Sequence, residues 1–427
     1  MTTRLAEVYA LGQSPWCDTI ARDQIQTGTF QRLIEQDAIV GVTSNPSIFQ
    51  KAMTAGSAYD EQFRDLAAQG LDAMSIYQLM ANQDIRDVLA LFRPVYERTH
   101  GIDGYVSLEV SPLLAYETQK TIEEAKQLWM HLNHPNLLVK IPGIAQGIPA
   151  IEACIAEGIN VNVTLIFSLA AYEQVILAYL SGLEKLAVSG TKPLGQVASV
   201  ASFFVSRVDT LVDRLLDEKA AATTDVRQKQ QLQGLQGKAA IANAKLAYQL
   251  YKAYFVEGPR AERFKVLHAQ GAQVQRPLWA STGTKNPAYR DVMYVEELIG
   301  PNTVNTMPPA TLAAFQDHGT AASTVERDVA SARQVMQDLD AVGIPITQVT
   351  DTLEREGVAT FKTAFEDLLH SLDDKRRALA QEQATKGNAS AEGAARSEGR
   401  SGGVAGANST SGTKRGDTEP AKTRREE

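Results

Sequence analysis

The sequence predicts a closed (β/α)8 barrel. Eight short β-branched or apolar runs recur along the chain, helix-length amphipathic stretches separate them, and nearly every run carries a polar side chain near its C-terminal end. Strands that alternate with helices form βαβ units around a parallel sheet. Eight such units close into a barrel, whose chemistry gathers at the C-terminal ends of the strands. The rival is an open doubly wound sheet. No G-x-G-x-x-G follows the first strand, however, as a dinucleotide site on that fold would require.

The strand candidates are 14–19 (SPWCDT), 38–44 (AIVGVTS), 105–110 (YVSLEV), 137–142 (LLVKIP), 159–166 (INVNVTLI), 196–205 (QVASVASFFV), 276–281 (RPLWAS) and 303–307 (TVNTM). Between them, 116–132 puts Ile122, Ala125, Leu128 and Trp129 on one helical face. Residues 168–187 keep Leu169, Tyr172, Val175, Ile176 and Tyr179 at helical spacing. The long Gln- and Ala-rich stretch 206–255 reads as two helices, and 74–99 as inserted or paired helices between strands two and three. Phe361, Phe365, Leu368 and Leu372 predict a long amphipathic helix over 349–380 that packs on the barrel. The barrel domain is thus expected over 1–380. Residues 381–427 are expected to be a disordered tail, because from Ala384 onward there is one Val and no Leu, Ile or aromatic residue.

Composition bounds the function. The chain has 427 residues, 44% hydrophobic and 22% charged, enough to bury a large core. A net charge of −8 argues against nucleic acid or an anionic membrane surface as the main partner. The N-terminus MTTRLAEVYA lacks a signal-peptide apolar core, and no apolar run approaches the ~20 residues of a membrane span. Two cysteines, Cys17 and Cys154, cannot form a disulfide framework, so a reducing, cytoplasmic setting is expected. The oligomeric state is left open.

The polar residues of the strands then matter. Strand one ends in Asp18, two in Thr43-Ser44-Asn45-Pro46, and three carries Glu109. Lys140 stands in the apolar run LLVKIP of strand four, and strand five carries Asn162 and Thr164. Ser202 lies on strand six with Arg207 just beyond, Ser281-Thr282-Gly283 ends strand seven with Lys285 beyond, and strand eight carries Asn305 and Thr306. A barrel built only for stability fills its interior with Val, Ile and Leu. A lysine desolvated in such a run is driven toward its neutral, nucleophilic form. It can attack a carbonyl to form a Schiff base, whose iminium is the electron sink for making or breaking the adjacent carbon–carbon bond. Asp18 and Glu109 would move the protons. Arg207 and Lys285 at the rim would hold a phosphate. The bland reading of Lys140 alone is a structural salt bridge to Glu109; the convergence of Asp, Asn and Thr favours chemistry. No metal or other cofactor is required. His131 and His134 have no third ligand nearby and read as a helix end before Pro135, Cys17 is read as core by strand parity, and STGTK does not satisfy the P-loop spacing.

Three stretches resemble the transaldolase family. GVTSNPSIFQKA (41–52) resembles its first signature, LLVKIPGIAQGIPAIEACIAEGINVNVTLIFS (137–168) its second, and SFFVSR (202–207) its S-x-F-x-x-R phosphate-side motif. They occur in the family's order, within a resemblance running from about residue 14 to about 375, and WASTGTKNP (279–287) looks like the longer bacterial type. The resemblance implies a (β/α)8 barrel that moves a dihydroxyacetone unit between sugar phosphates in the non-oxidative pentose phosphate pathway. The donor would be sedoheptulose 7-phosphate or fructose 6-phosphate, and the acceptor glyceraldehyde 3-phosphate or erythrose 4-phosphate. It implies that Lys140 forms the Schiff base, that Asp18 shuttles the proton of the donor's C4 hydroxyl, and that Glu109 and Thr164 position the catalytic water. Asn45 and Asn162 would bind the dihydroxyacetone hydroxyls, Ser202 would serve near the same end, and Arg207 would bind phosphate. Two departures stand out: Lys285 with Ser281 replaces an arginine that shorter members carry after strand seven, and Phe203 stands where a proline is common. Two other functions compete: a class I aldolase that releases dihydroxyacetone without obligatory transfer, and a non-catalytic sugar-phosphate binding protein.

Overall fold

The computed structural model describes residues 3–398, with side chains through Gln381. Its centre is a closed barrel of eight parallel strands in chain order: β1 (Gln13–Asp18), β2 (Gly41–Thr43), β3 (Tyr105–Glu109), β4 (Leu137–Pro142), β5 (Val161–Ile166), β6 (Ser199–Phe204), β7 (Gln275–Ala280) and β8 (Thr303–Met307). Closure comes from β1 and β8, paired from Gln13↔Thr303 to Cys17↔Met307. All eight expected strands are present. The second is shorter than expected because Ala38 takes a positive φ of 53° and Ile39-Val40 lead in as coil.

Two helical expectations need correcting. Residues 74–99 form one helix, Ala73–Arg98, capped by Asp72 and running through Pro94. A continuous buried stripe of Ile76, Met80, Ile85, Val88, Leu89, Phe92 and Val95 holds it together against that proline. The inserted helices precede it, at Pro46–Thr54 and Asp60–Ala68. The 206–255 stretch is three helices, Ser206–Ala222, Val226–Gln233 and Ala239–Phe255. Asp225 starts the middle one by accepting hydrogen bonds from the backbone N–H of Arg227 and Gln228. The two His residues of HLNH lie where expected, at the end of the Thr118–Leu132 helix, which Asn133 closes in the left-handed region. No helix among the described residues is long and apolar enough to cross a membrane.

The chain divides into compact units Met1–Arg376 and Arg377–Glu427. The first holds the barrel. The closing helix is continuous over Ile346–Glu398, so 381–398, expected as the start of a disordered tail, are helical. Residues 399–427 of that expected tail lie outside the described residues.

Side chains alternate across each strand, so Ser14, Trp16 and Asp18 of β1 share the barrel interior with Leu138 and Lys140 of β4. At the N-terminal end the interior is plugged by Arg276. Its guanidinium donates to Ser14 Oγ at 2.8 Å, to Asp103 Oδ1 at 3.0 Å and to the Ile102 carbonyl at 2.7 Å. The pair is well buried, with side-chain exposures of 10% and 1%. At the other end β5 carries a bulge: register slips between Val163 and Ile166, and Leu165 adopts φ 59°. A bulge re-aims side chains. Here Leu165 reaches toward the closing helix, where a Cβ added at Gly357 would lie 3.1 Å from its methyl.

Asp103→Ala should therefore destabilise the fold by about 3 kcal/mol, since removing one partner strands a buried charge. Urea denaturation measures this, and substrate turnover by the folded fraction should be unchanged because the plug lies at the end opposite the site.

Candidate active site

The C-terminal strand ends surround a cavity of about 820 Å³. Asp18, Thr43, Asn45, Lys140, Thr164, Ser202, Arg207, Ser281 and Lys285 line it, so the residues singled out by sequence converge there. Two do not face it. Asn162 is fully buried below the floor, and Glu109 lines a second, smaller cavity behind Lys140.

Lys140 is 4% exposed. Its Nζ donates to the Ser44 carbonyl at 3.0 Å and lies 3.3 Å from Glu109 Oε2. That contact is an ion pair without hydrogen-bond alignment, because Glu109 Oε2 has no aligned donor. The ring of Phe361 covers the amine at 5.7 Å. Burial pushes the Glu109 carboxyl above its ordinary range, against the pull of the Lys140 charge.

Asp18 is held from the other side of the barrel. Thr306 and Thr43 hydroxyls lie 2.6 Å apart, and Thr43 donates to Asp18 Oδ1 at 2.6 Å. Thr43 has one proton, so the order runs Thr306 to Thr43 to Asp18. Burial raises the Asp18 carboxyl despite the nearby Lys140, the hydrogen bond from Thr43, and the more distant Lys285 and Arg207. Its side chain nevertheless opens onto the cavity, so a substrate hydroxyl can reach it.

Ser202 has a supporting part. Its hydroxyl donates to Asn162 Oδ1 at 2.7 Å, and Asn162 Nδ2 donates to Ser107 Oγ at 2.9 Å. These bonds fix the amide beneath the lysine. Thr164 Oγ1 is buried with no hydrogen-bond partner, an unmet capacity beside Lys140 that a water or substrate hydroxyl would satisfy. Asn45 Oδ1 is already used to cap the Pro46–Thr54 helix by accepting from Ile48 N at 3.0 Å, which leaves its amide N–H groups for a ligand.

Arg207 pairs with no carboxylate among the described residues. Its guanidinium lies between the rings of Phe204 at 5.2 Å and Phe361 at 5.8 Å. A desolvated, unneutralised guanidinium facing a cavity is an anion site. Ser281, at φ 58°, meets Ser206 beside it, with hydroxyls 2.9 Å apart. Lys285 is exposed at the rim.

Sequence reasoning gave no role to four contributors: the Ser44 carbonyl, the Thr43 hydroxyl, the wall made by Phe361, and Lys51 on the rim. Thr43 and Ser44 stand inside the TSNP stretch and were legible as strand-end polar residues. Phe361 read as one more apolar position of an amphipathic helix.

The sequence matches a known family. The model of the transaldolase/fructose-6-phosphate aldolase family covers residues 15–372. The chain belongs to that family. A transaldolase of Trichodesmium erythraeum is 45% identical over 89% of this chain and 99% of its own length. A protein of Nostoc sp. named transaldolase 2 and a transaldolase of Mycobacterium leprae are each 46% identical over 88% of this chain and 98% of theirs. The chain is accordingly an enzyme of transaldolase type.

The raised carboxyl of Asp18 makes a stability prediction. A folded value above the unfolded value means the folded state holds the proton more tightly. Its contribution to stability is full below the unfolded value of about 4 and is lost as pH rises through the folded value. Asp18→Asn should therefore be more stable than the parent at pH 8, with the gain shrinking toward pH 4. Urea midpoints at the two pH values measure it, and a gain independent of pH would contradict the assignment.

Proposed function

We propose that this chain transfers a dihydroxyacetone unit from a ketose phosphate to an aldose phosphate through a Schiff base on Lys140. The observation that carries the reading is the position of one amine. Lys140 Nζ is buried against Glu109 and the Ser44 carbonyl at the floor of a cavity on whose wall Arg207 stands without a carboxylate partner. Sedoheptulose 7-phosphate or fructose 6-phosphate fits as donor, and glyceraldehyde 3-phosphate or erythrose 4-phosphate as acceptor. The step belongs to the non-oxidative pentose phosphate pathway. The free buried cysteines Cys17 and Cys154 suit a reducing compartment, and we assign the reaction to the cytoplasm.

The neutral amine attacks the ketose carbonyl and forms a carbinolamine. Water leaves with a proton supplied by way of Glu109, and the iminium remains. Glu109 and the unpartnered Thr164 hydroxyl hold that water. Asp18 then takes the proton of the C4 hydroxyl. The C3–C4 bond breaks, its electron pair enters the iminium, and the shortened aldose leaves. The enamine attacks the acceptor aldehyde, Asp18 returns its proton to the new alkoxide, and water releases the product. Asn45 binds the dihydroxyacetone hydroxyls, and Asn162 serves them from beneath by orienting Ser202. Arg207, with Ser281 and Lys285, holds the phosphate.

Borohydride reduction in the presence of fructose 6-phosphate should leave a stable adduct on the peptide containing Lys140, read by mass spectrometry. An adduct on another lysine would reject the mechanism. Lys140→Ala should lower turnover at least ~10³-fold with the fold retained, because Glu109, already raised, can take a proton and remain neutral. Arg207→Ala should raise KM for phosphorylated substrates about tenfold or more and spare kcat. Free dihydroxyacetone should appear slowly until an acceptor aldose is added; rapid release without acceptor would assign the chain to the aldolase side of the family.

A further inference from the structure

Behind Lys140 lies a second cavity of about 30 Å³, room for at least one water. Its wall includes Ser44, Glu109, Tyr77, Glu124 and Gln78. Both partners of the Lys140 amine, the Ser44 carbonyl and Glu109, are therefore wall residues of this rear cavity, while Lys140 itself faces the substrate cavity. Glu109 Oε2 belongs to a side chain 5% exposed and lacks an aligned hydrogen bond. Glu124 comes from the Thr118–Leu132 helix and is anchored by accepting from Ser111 N at 2.8 Å through Oε2. Tyr77 of the Ala73–Arg98 helix is fixed edge-on between Phe49 and Phe365 on the same wall, and its phenol is raised first by burial and then by Glu124 and Glu109. Burial raises Glu124 as well, opposed by the Ser111 bond. Gln78 is exposed, so the outer end of the cavity meets solvent.

We propose that the rear cavity is a proton exit, in which water carries the Lys140 proton from Glu109 to Glu124 and out between those two helices, making Glu124 a positioning and relay residue. The proposal rests on the Schiff-base reading above. One proton moves from Nζ to Glu109, from Glu109 to the cavity water, and from that water to the Glu124 carboxylate and bulk solvent. The amine is left neutral and nucleophilic. No other bond changes. Glu109, Glu124 and Tyr77 are the titratable groups on this wall among the described residues, with Lys140 and Asp18 acting on Glu109 from the barrel side.

Such a path separates proton traffic from sugar traffic. A substrate that fills the front cavity seals the amine from bulk water there, yet the amine must lose a proton to react. A buried carboxyl and a second raised carboxyl on the wall of one cavity supply the route.

The test uses Glu124→Gln, which keeps the acceptor for Ser111 N. Schiff-base formation is followed in a single turnover by quenching with borohydride at intervals, across pH 6 to 9. Adduct formation should slow about tenfold and its pH profile should shift, while KM for the sugar phosphate and the melting temperature stay at the parent values. A rate and profile within about twofold of the parent would overturn the relay. If Glu124→Gln fails to fold, Ala81→Val decides, since a larger side chain on this wall displaces the cavity water: slowed adduct formation supports the path and the parent rate overturns it. A parent enzyme that forms no adduct on Lys140 would instead sink the Schiff-base reading itself.

Discussion

An amine near the floor of an apolar barrel is the constraint around which the rest is arranged. Desolvating an ammonium and a carboxylate costs several kcal/mol each, and their attraction returns that only with good alignment. Two buried ion pairs at opposite ends of the barrel interior differ in this respect. Arg276 at the N-terminal end meets Ser14, Ile102 and Asp103 with aligned hydrogen bonds. Lys140 at the other end has three donors, one aligned bond to a carbonyl and an unaligned carboxylate. The first pair closes the barrel. The second is left incomplete where chemistry needs an amine free to change charge and to bond.

That incompleteness extends to the neighbours. Thr164 and Glu109 Oε2 also lack partners, and Arg207 has rings instead of a carboxylate. Around them, fully bonded groups keep the geometry: Ser202 through Asn162 to Ser107, and Thr306 through Thr43 to Asp18. At the substrate cavity and its rear wall, groups left with open capacity are thus supported by satisfied pairs a layer away.

Much of this was legible in the sequence because parity and position suffice for it. Strand alternation put Lys140 on the inward side with Leu138, and the C-terminal rule put Asp18, Thr164, Ser202 and Arg207 at one mouth. Helix lengths were read less well. Ala73–Arg98 continues through Pro94 because tertiary burial outweighs one lost backbone bond, and the 206–255 stretch breaks at Asp225 through a local cap that an Ala- and Gln-rich composition conceals. The roles of Ser44 and Phe361 were not legible. The first acts through a backbone carbonyl, which residue identity does not encode. The second depends on where a helix lies over the barrel, guided by the bulge at Leu165, and periodicity reports which face is apolar but not what it covers.

Phe361 lies beyond β8, in the helix that follows the complete ring. Synthesis runs from the N-terminus, so all eight strands can leave the ribosome and close before that ring arrives. At that stage the amine and the guanidinium share an open mouth, wetted on the side that Phe361 later covers. Cover for the reactive amine therefore comes from a helix placed after the whole ring in sequence, not from the ring of strands itself.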